Sequence, residues 1–229
     1  MYEAVHAHPD GDATAARHAA TAARYGYEGV VVRTREALDP VGAARGRRPV
    51  PGAAALRDEY GIDVVDAVEI DADGATSASG AVGNYRSDRT VVCLVGGDDG
   101  LNRFAVEEPR VDVLVRPMAG SGDFNHVLAK AARDNGVHVE FDLGPLFRAT
   151  GGKRVRALAD LRKLREIVTY YDAPHVVSAN PRSHLELRAP REVVAAARRS
   201  GSTPSGSKRG SARGARSRPA TASVAPRPS

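Results

Sequence analysis

Short apolar runs rich in β-branched residues alternate with helical patterns along most of this chain. Because parallel strands need long crossover connections, this alternation predicts a parallel sheet with right-handed crossovers. The nearly continuous Val and Ile in the runs favour a sheet that is covered on both faces. Seven strands are predicted: Tyr2–Val5, Gly29–Arg33, Val64–Ile70, Thr90–Val95, Val111–Val115, Val137–Leu143 and His175–Ala179.

Six segments between the predicted strands have helical spacing or helix-capping residues. Asp12 and Asp123 are predicted N-caps, and Asn135-Gly136 is a predicted helix stop. The predicted helices are Asp12–Tyr25, Ala53–Tyr60, Ala75–Arg86, Gly100–Glu107, Asp123–Asn135 and Gly152–Asp172.

Two α/β architectures are compatible with this order of elements, an open doubly wound sheet and a closed barrel. No G-x-G-x-x-G follows the first strand, which disfavours the dinucleotide-binding form of the open sheet. Seven βα units without an obvious edge strand favour a TIM-barrel-like parallel β/α barrel. We therefore expect a single barrel domain over residues 1–199.

Basic residues are unevenly distributed along the chain. Residues 200–229 contain six Lys and Arg and no acid, so the remaining 27 basic residues nearly balance the 28 acidic ones. This segment is rich in Ser, Gly, Arg and Pro, and so few apolar groups predict a disordered basic tail. Residues 39–52 are expected to form a Pro/Gly/Arg loop.

A single cysteine, Cys93, lies in the apolar run TVVCLVG and is predicted to be a small buried core residue. The sequence has no N-terminal apolar targeting segment, no apolar run near the length that a bilayer requires, and no lipidation motif. We expect a cytoplasmic chain with no membrane partner.

The predicted helix over Gly152–Asp172 is amphipathic and basic. Apolar residues recur at spacings of three or four, which predicts that they pack inward as one stripe: Leu158, Leu161, Leu164, Val168 and Tyr171. Cations lie opposite or beside this stripe: Lys153, Arg154, Arg156, Arg162 and Lys163, with Arg148 and Arg165 beside them. Such a face attracts phosphates, although exposed helix faces are commonly charged for solvation alone.

A second candidate site follows the first predicted strand. His6, His8 and Asp10 lie at its carboxyl end, where barrel enzymes build active sites, and Glu69 ends the third strand. If residues 6 and 8 continue the strand, both imidazoles point to one side and can bind one metal ion. Against a metal-dependent phosphoesterase, the other strand ends offer no further histidine, and the guanidinium of Arg116 repels a cation.

Several segments resemble, in order and spacing, the family of protein component 3 of archaeal ribonuclease P, especially its haloarchaeal members. The resemblance covers residues 1–195. The segments are MYEAVHAHPDG, GAVGNYRSDRTVVCLVGGDDGLNRFAVEEPRVDVLVRPMAG, DFNHVLAKAARDNGVHVEFDL, RVRALADLRKLREIV and PHVVSANPRSHLELRAP, of which the last is the most specific.

The resemblance implies a distorted seven-strand barrel of the polymerase and histidinol phosphatase type, without a complete metal site. It implies a protein subunit of the ribonucleoprotein that removes the 5′ leader from precursor tRNA, with catalysis by the RNA subunit. The chain itself then binds no cofactor, whereas the RNA requires Mg²⁺. The implied partners are the ribonuclease P RNA, other protein subunits, notably component 2, and precursor tRNA.

Helix geometry and charge suggest which residues face the RNA. The first candidates are Lys153, Arg154, Arg156, Arg162 and Lys163, and the weaker candidates are Arg86, Arg89 and Arg182. An independent metal-dependent phosphoesterase that uses His6, His8, Asp10 and Glu69 is the alternative function.

Overall fold

The computed structural model describes residues 1–38 and 50–199 of the chain. All seven predicted strands are present: β1 Tyr2–Val5, β2 Gly29–Val32, β3 Asp63–Ile70, β4 Val91–Val95, β5 Val113–Val115, β6 His138–Asp142 and β7 His175–Ser178. Most of the predicted loop at 39–52 and all of the predicted tail at 200–229 lie outside the described residues.

The first seven helices connect successive strands, and the eighth follows β7. They are α1 Ala15–Tyr25, α2 Ala53–Tyr60, α3 Ala75–Arg86, α4 Asp99–Glu107, α5 His126–Asn135, α6 Gly144–Arg148, α7 Gly151–Tyr170 and α8 Pro190–Arg199. The six predicted helices are confirmed, whereas α6 and α8 were not predicted from the sequence. The predicted stop after Asn135 is also confirmed, because Gly136 adopts a left-handed φ of 71°.

The two predicted N-caps are wrong. Thr14, not Asp12, accepts a hydrogen bond from the amide of Arg17 at the start of α1. Asn125, not Asp123, accepts from the amides of Val127 and Leu128 at the start of α5. Both helices begin later than predicted, so each aspartate lies two residues before the N-cap position.

The seven strands form one parallel sheet in the order β1-β2-β3-β4-β5-β6-β7. Each strand pairs with the next along the chain, from Tyr2 opposite Gly29 on β1 and β2 to Asp142 opposite Ser178 on β6 and β7. The sheet curls into a nearly closed barrel with the helices outside it. The predicted TIM-barrel-like α/β fold is therefore confirmed.

Apolar side chains fill both sides of the sheet. The larger clusters lie between the sheet and the helices and include Phe124, Phe141 and the buried α7 residues Leu161, Leu164 and Val168. Half-buried Leu158 and Tyr171 pack against the same core, which confirms the predicted inward stripe. Cys93 is fully buried beside valines of neighbouring strands, also as predicted, and burial raises the pKa of its thiol to about 12. No helix of the described residues is long and apolar enough to cross a membrane.

Side chains, rather than a ladder of backbone hydrogen bonds, join the first strand to the last. Within residues 1–38 and 50–199, strand pairing runs from β1 to β7 without returning to β1. Glu3 of β1 bridges this seam. Its Oε1 accepts hydrogen bonds from the hydroxyl of Ser178 at 2.5 Å and the amide of Ala179 at 2.9 Å. The amide of His6 adds a bond to the carbonyl of Pro181 at 3.0 Å.

The second carboxyl oxygen of Glu3 lies 3.2 Å from the hydroxyl of Tyr27. That phenol has one proton, and the carbonyl of Arg188, at 2.7 Å, accepts it. The hydroxyl oxygen of Tyr27 can then only accept a hydrogen bond from Glu3. This arrangement favours a Glu3 carboxyl group that is protonated on its second oxygen and donates to Tyr27. Consistently, burial raises the pKa of Glu3 to about 7, against hydrogen bonds that lower it.

A Glu3→Gln substitution should make the fold less sensitive to pH. Because the pKa of Glu3 rises from 4.5 to about 7 on folding, its contribution is fully present below about pH 4.5 and is lost as pH rises through 7. Glutamine offers one acceptor to Ser178 and Ala179 and a permanent donor to Tyr27. Urea unfolding should give similar free energies for both chains at low pH, and a variant more stable by about 3 kcal/mol near pH 8. A constant difference across this range would contradict a titrating Glu3.

Candidate functional site

A buried guanidinium occupies the carboxyl end of the barrel. Arg33 directly follows β2, and only 3% of the residue is exposed. Its Nη2 donates to Oε1 of Glu140 at 2.5 Å, and its Nη1 donates to Oδ1 of Asn180 at 3.0 Å and Oε2 of Glu69 at 3.3 Å. Arg116, after β5, donates to Oε1 of Glu69 at 2.9 Å. We call Arg33, Glu69, Arg116, Glu140 and Asn180 the barrel-end network.

The roles of Arg33 and Glu140 were not predicted from the sequence. A signal was present, because a charged residue interrupts or ends each of the apolar runs GVVVR and HVEFD. A buried charge needs a partner of opposite sign, and two such residues in one barrel are candidates for each other. The sequence does not reveal the pairing, since Arg33 and Glu140 are 107 positions apart.

Burial controls the protonation of side chains near this network. Desolvation and then the positive charge of Arg33 lower the pKa of His6 to about 4, so its imidazole is neutral near pH 7. Burial and then the charge of Glu140 raise the pKa of Asp142 to about 6. The 3.6 Å approach of His6 Nε2 to Glu69 Oε2 is therefore not an ion pair at neutral pH.

The four candidate metal ligands are not brought together as expected. β1 ends at Val5, so His6 and His8 lie beyond it and the strand alternation does not align them. His6 turns inward to Glu69, whereas His8 and Asp10 are exposed in the following turn. Within residues 1–38 and 50–199, no group of three or more His, Cys, Asp or Glu side chains is placed to hold a metal ion.

The barrel-end network does not suit a divalent cation. Both carboxyl oxygens of Glu69 already accept hydrogen bonds from guanidinium groups, those of Arg33 and Arg116. A cation bound to Glu69 would lie against two fixed positive charges, which opposes binding. The residues at this end of the barrel therefore do not fit a metal centre.

The second candidate site is the exposed surface of α7, where Arg156, Arg162 and Lys163 lie roughly opposite the apolar stripe and Lys153 and Arg154 flank it. All five predicted cations are exposed: Lys153, Arg154, Arg156, Arg162 and Lys163. Lys163 forms an ion pair with Asp123, Nζ to Oδ1 at 2.7 Å, and this hydrogen bond lowers the pKa of Asp123. The other four form no ion pair or hydrogen bond with any described side chain. Their charges are available to a ligand.

The start of α7 is electrostatically unusual. Its first turn contains Lys153 and Arg154 and no acidic residue. The amino end of a helix carries partial positive charge and normally favours acids, so these two cations disfavour the isolated helix. The same combination attracts an anion.

The three weaker candidates for RNA binding form hydrogen bonds or ion pairs within the protein. Arg86 donates to Oδ2 of Asp112 at 2.5 Å and to the carbonyls of residues 89, 90 and 110. Arg89 donates to the carbonyl of Arg35 at 2.9 Å and lies 3.7 Å from Asp66. Arg182 is exposed, and its guanidinium donates to the carbonyl of Asp10. These contacts connect elements of the barrel.

Comparisons with known proteins agree with this fold. The sequence model of the family described as RNase P subunit p30 matches residues 1–216. Ribonuclease P protein component 3 of Halorubrum lacusprofundi is 89% identical over 197 residues, which cover 86% of this chain and 81% of that protein. The protein of the same name from Haloarcula marismortui is 58% identical, over 85% of this chain and 79% of its own length.

Two solved structures share the barrel. A chain in a cryo-EM structure of archaeal ribonuclease P with mature tRNA superposes with a TM-score of 0.69 at 21% identity, over 85% of this chain and 80% of that one. Histidinol phosphate phosphatase from Lactococcus lactis, complexed with zinc, L-histidinol and phosphate, gives a TM-score of 0.54 at 11% identity, over 88% and 94% of the two chains. At these identities the likeness concerns the fold.

An Arg33→Met substitution should strongly destabilise the fold, because it leaves the buried Glu140 carboxylate without its guanidinium. We expect the free energy of unfolding in urea to fall by about 3–5 kcal/mol. A second variant, Arg33→Met with Glu140→Leu, removes both charges and should recover most of this loss. A loss below about 1 kcal/mol in the single variant would contradict a structural role for the network.

Proposed function

This chain belongs to the RNase P subunit p30 family, and we propose that the exposed cations of α7 bind the RNA of the complex in which it works. The chain is a protein subunit of ribonuclease P, the ribonucleoprotein that removes the 5′ leader from precursor tRNA by endonucleolytic cleavage. The family model covers residues 1–216, and relatives at 58% and 89% identity carry the same function in their names.

We propose an accessory role in which the RNA subunit performs the cleavage. The barrel-end network supports this division, because guanidinium groups engage the carboxylate that a metal-dependent phosphoesterase would need. By neutralising phosphates, the chain lowers the repulsion that opposes RNA folding. Mg²⁺ then belongs to the RNA, and this chain binds no cofactor of its own.

The observation that carries the RNA-binding proposal is the set of unpaired cations on α7. Five exposed Lys and Arg side chains of α7, the four unpaired candidates and Arg165, make no ion pair with the described residues, although acids are available nearby on the same helix. Phosphate groups are the ligands that such a cluster of cations binds best. Lys163, already paired with Asp123, belongs to this face as a secondary contact. Arg86, Arg89 and Arg182 contribute less, because each has contacts within the barrel.

The proposed partners follow from this role. They are the ribonuclease P RNA, the other protein subunits of the complex, notably component 2, and precursor tRNA as the substrate of the complex. A chain that works on precursor tRNA belongs in the cytoplasm, which is the location we propose. We also propose that residues 1–199 act as one barrel domain.

A triple substitution of Arg154, Arg156 and Arg162 by alanine should weaken RNA binding in a salt-dependent way. Each lost phosphate contact lowers the slope of log affinity against log salt by about one, so the expected decrease is about three. All three side chains are exposed, so the fold should be unaffected. Filter binding of the ribonuclease P RNA at several KCl concentrations measures both quantities.

The matched control replaces Arg17, Arg24 and Arg191 with alanine. These arginines are exposed on α1 and α8 and make no ion pair with described residues. The control variant loses the same three positive charges as the α7 variant. If net charge alone determined binding, both variants would therefore lose the same affinity for the RNA. An α7 variant that binds RNA as the control does would refute the proposed interface.

A further inference from the structure

An exposed tyrosine pair ends the cationic face of α7. Tyr170 is the last residue of the helix, and 80% of it is exposed. Its ring lies 4.8 Å from the ring of Tyr171, centroid to centroid, at an interplanar angle of 70°. This edge-to-face contact orients the Tyr170 ring while leaving it open to a ligand.

Tyr171 is a fixed support for this pair. Its ring packs half-buried against the core, with Lys130 Nζ 5.4 Å from its centroid and the His126 ring at 6.2 Å. Its carbonyl accepts a hydrogen bond from Arg133 at 3.5 Å. Side chains of α5 therefore hold Tyr171, and Tyr171 in turn holds Tyr170.

Helix geometry aligns Tyr170 with the cations. Arg156, Lys163 and Tyr170 are spaced by seven residues, which is close to two helical turns, so they lie on one face over about 21 Å. The character of this face changes along the helix, from cationic at Arg156 to aromatic at Tyr170.

The charge near the tyrosine pair is not positive overall. Lys130 and Arg133 lie close to it, but so do Glu166, Asp172 and Asp134, the last paired with Arg133. Phosphate attraction alone is therefore weak at this end of α7. Stacking on an open aromatic ring does not depend on net charge, and it suits an unpaired base.

We propose that Tyr170, supported by Tyr171, is a stacking site for an unpaired base of the RNA whose phosphates lie along α7. This inference rests on the proposed RNA-binding function of α7 and adds a contact of different physical character. Since every base has a π-face, the site accepts any unpaired nucleotide, without sequence preference. The RNA contact extends from the cationic start of α7 to the tyrosine pair at its end.

Salt dependence separates this contact from the phosphate contacts. With the full chain and ribonuclease P RNA, Tyr170→Ala should lower affinity roughly tenfold at every KCl concentration, with no change in the salt slope. Tyr170→Phe keeps the ring and should bind as the unmodified chain does. Tyr25→Ala is the matched control, since Tyr25 is 44% exposed at the end of another helix, α1.

The possible results are distinguishable. If Tyr170→Ala binds normally while the α7 arginine variant loses affinity, the stacking site is refuted and the RNA-binding function stands. If neither variant loses affinity, both proposals fall. If Tyr170→Phe is as weak as Tyr170→Ala, the hydroxyl rather than the ring makes the contact, and stacking is refuted.

A fluorescence measurement identifies the occupant directly. The chain contains no tryptophan, so Tyr170→Trp introduces a unique indole at the site. Ribonuclease P RNA alone should quench its emission by stacking. Emission that is unchanged by RNA but shifted by protein component 2 would assign the tyrosine pair to a protein interface and overturn the proposal.

Discussion

The guanidinium of Arg33 is the group on which the carboxyl end of the barrel depends. It joins side chains from or just beyond β3, β6 and β7 in the interior, where an unpaired charge is costly. With Arg116 it engages both carboxyl oxygens of Glu69. The position at which barrel enzymes commonly build an active site is thus an ion-paired structural centre. Glu3 has the corresponding role at the seam, where it connects β1 to β7 through hydrogen bonds.

Because ion pairs occupy the carboxyl end of the barrel, we look to the outer surface of the barrel for the binding site. The apolar stripe of α7 fixes the helix on the core, so the opposite face has a defined position for its cations. Because those side chains form no ion pair within the described residues, the phosphates of the proposed RNA ligand would meet a competing ion pair only at Lys163. In the proposed function, the barrel positions a charged and partly aromatic face for the RNA, and the RNA supplies the chemistry.

Local patterns predicted much of this structure. The strands and the α7 stripe follow from apolar periodicity, which depends on neighbouring residues. The barrel-end network did not follow, because Arg33 and Asn180 are 147 positions apart and only the folded sheet brings them together. The expected alignment of His6 and His8 failed because β1 ends at Val5. The tyrosine pair could not be predicted from the sequence either, because the residues that support Tyr171, Lys130 and His126, lie on a different helix.

The most direct test of this account is 5′-leader cleavage of a precursor tRNA at limiting Mg²⁺. The ribonuclease P RNA and the other protein subunits are assayed without this chain, with the unmodified chain, and with a folded His6→Ala, His8→Ala variant. A separate arm contains the chain alone. We expect equal stimulation by the unmodified and variant chains and no cleavage by the chain alone. Loss of stimulation in the folded histidine variant, or metal-dependent cleavage by the chain alone, would contradict an accessory subunit that acts through its outer face.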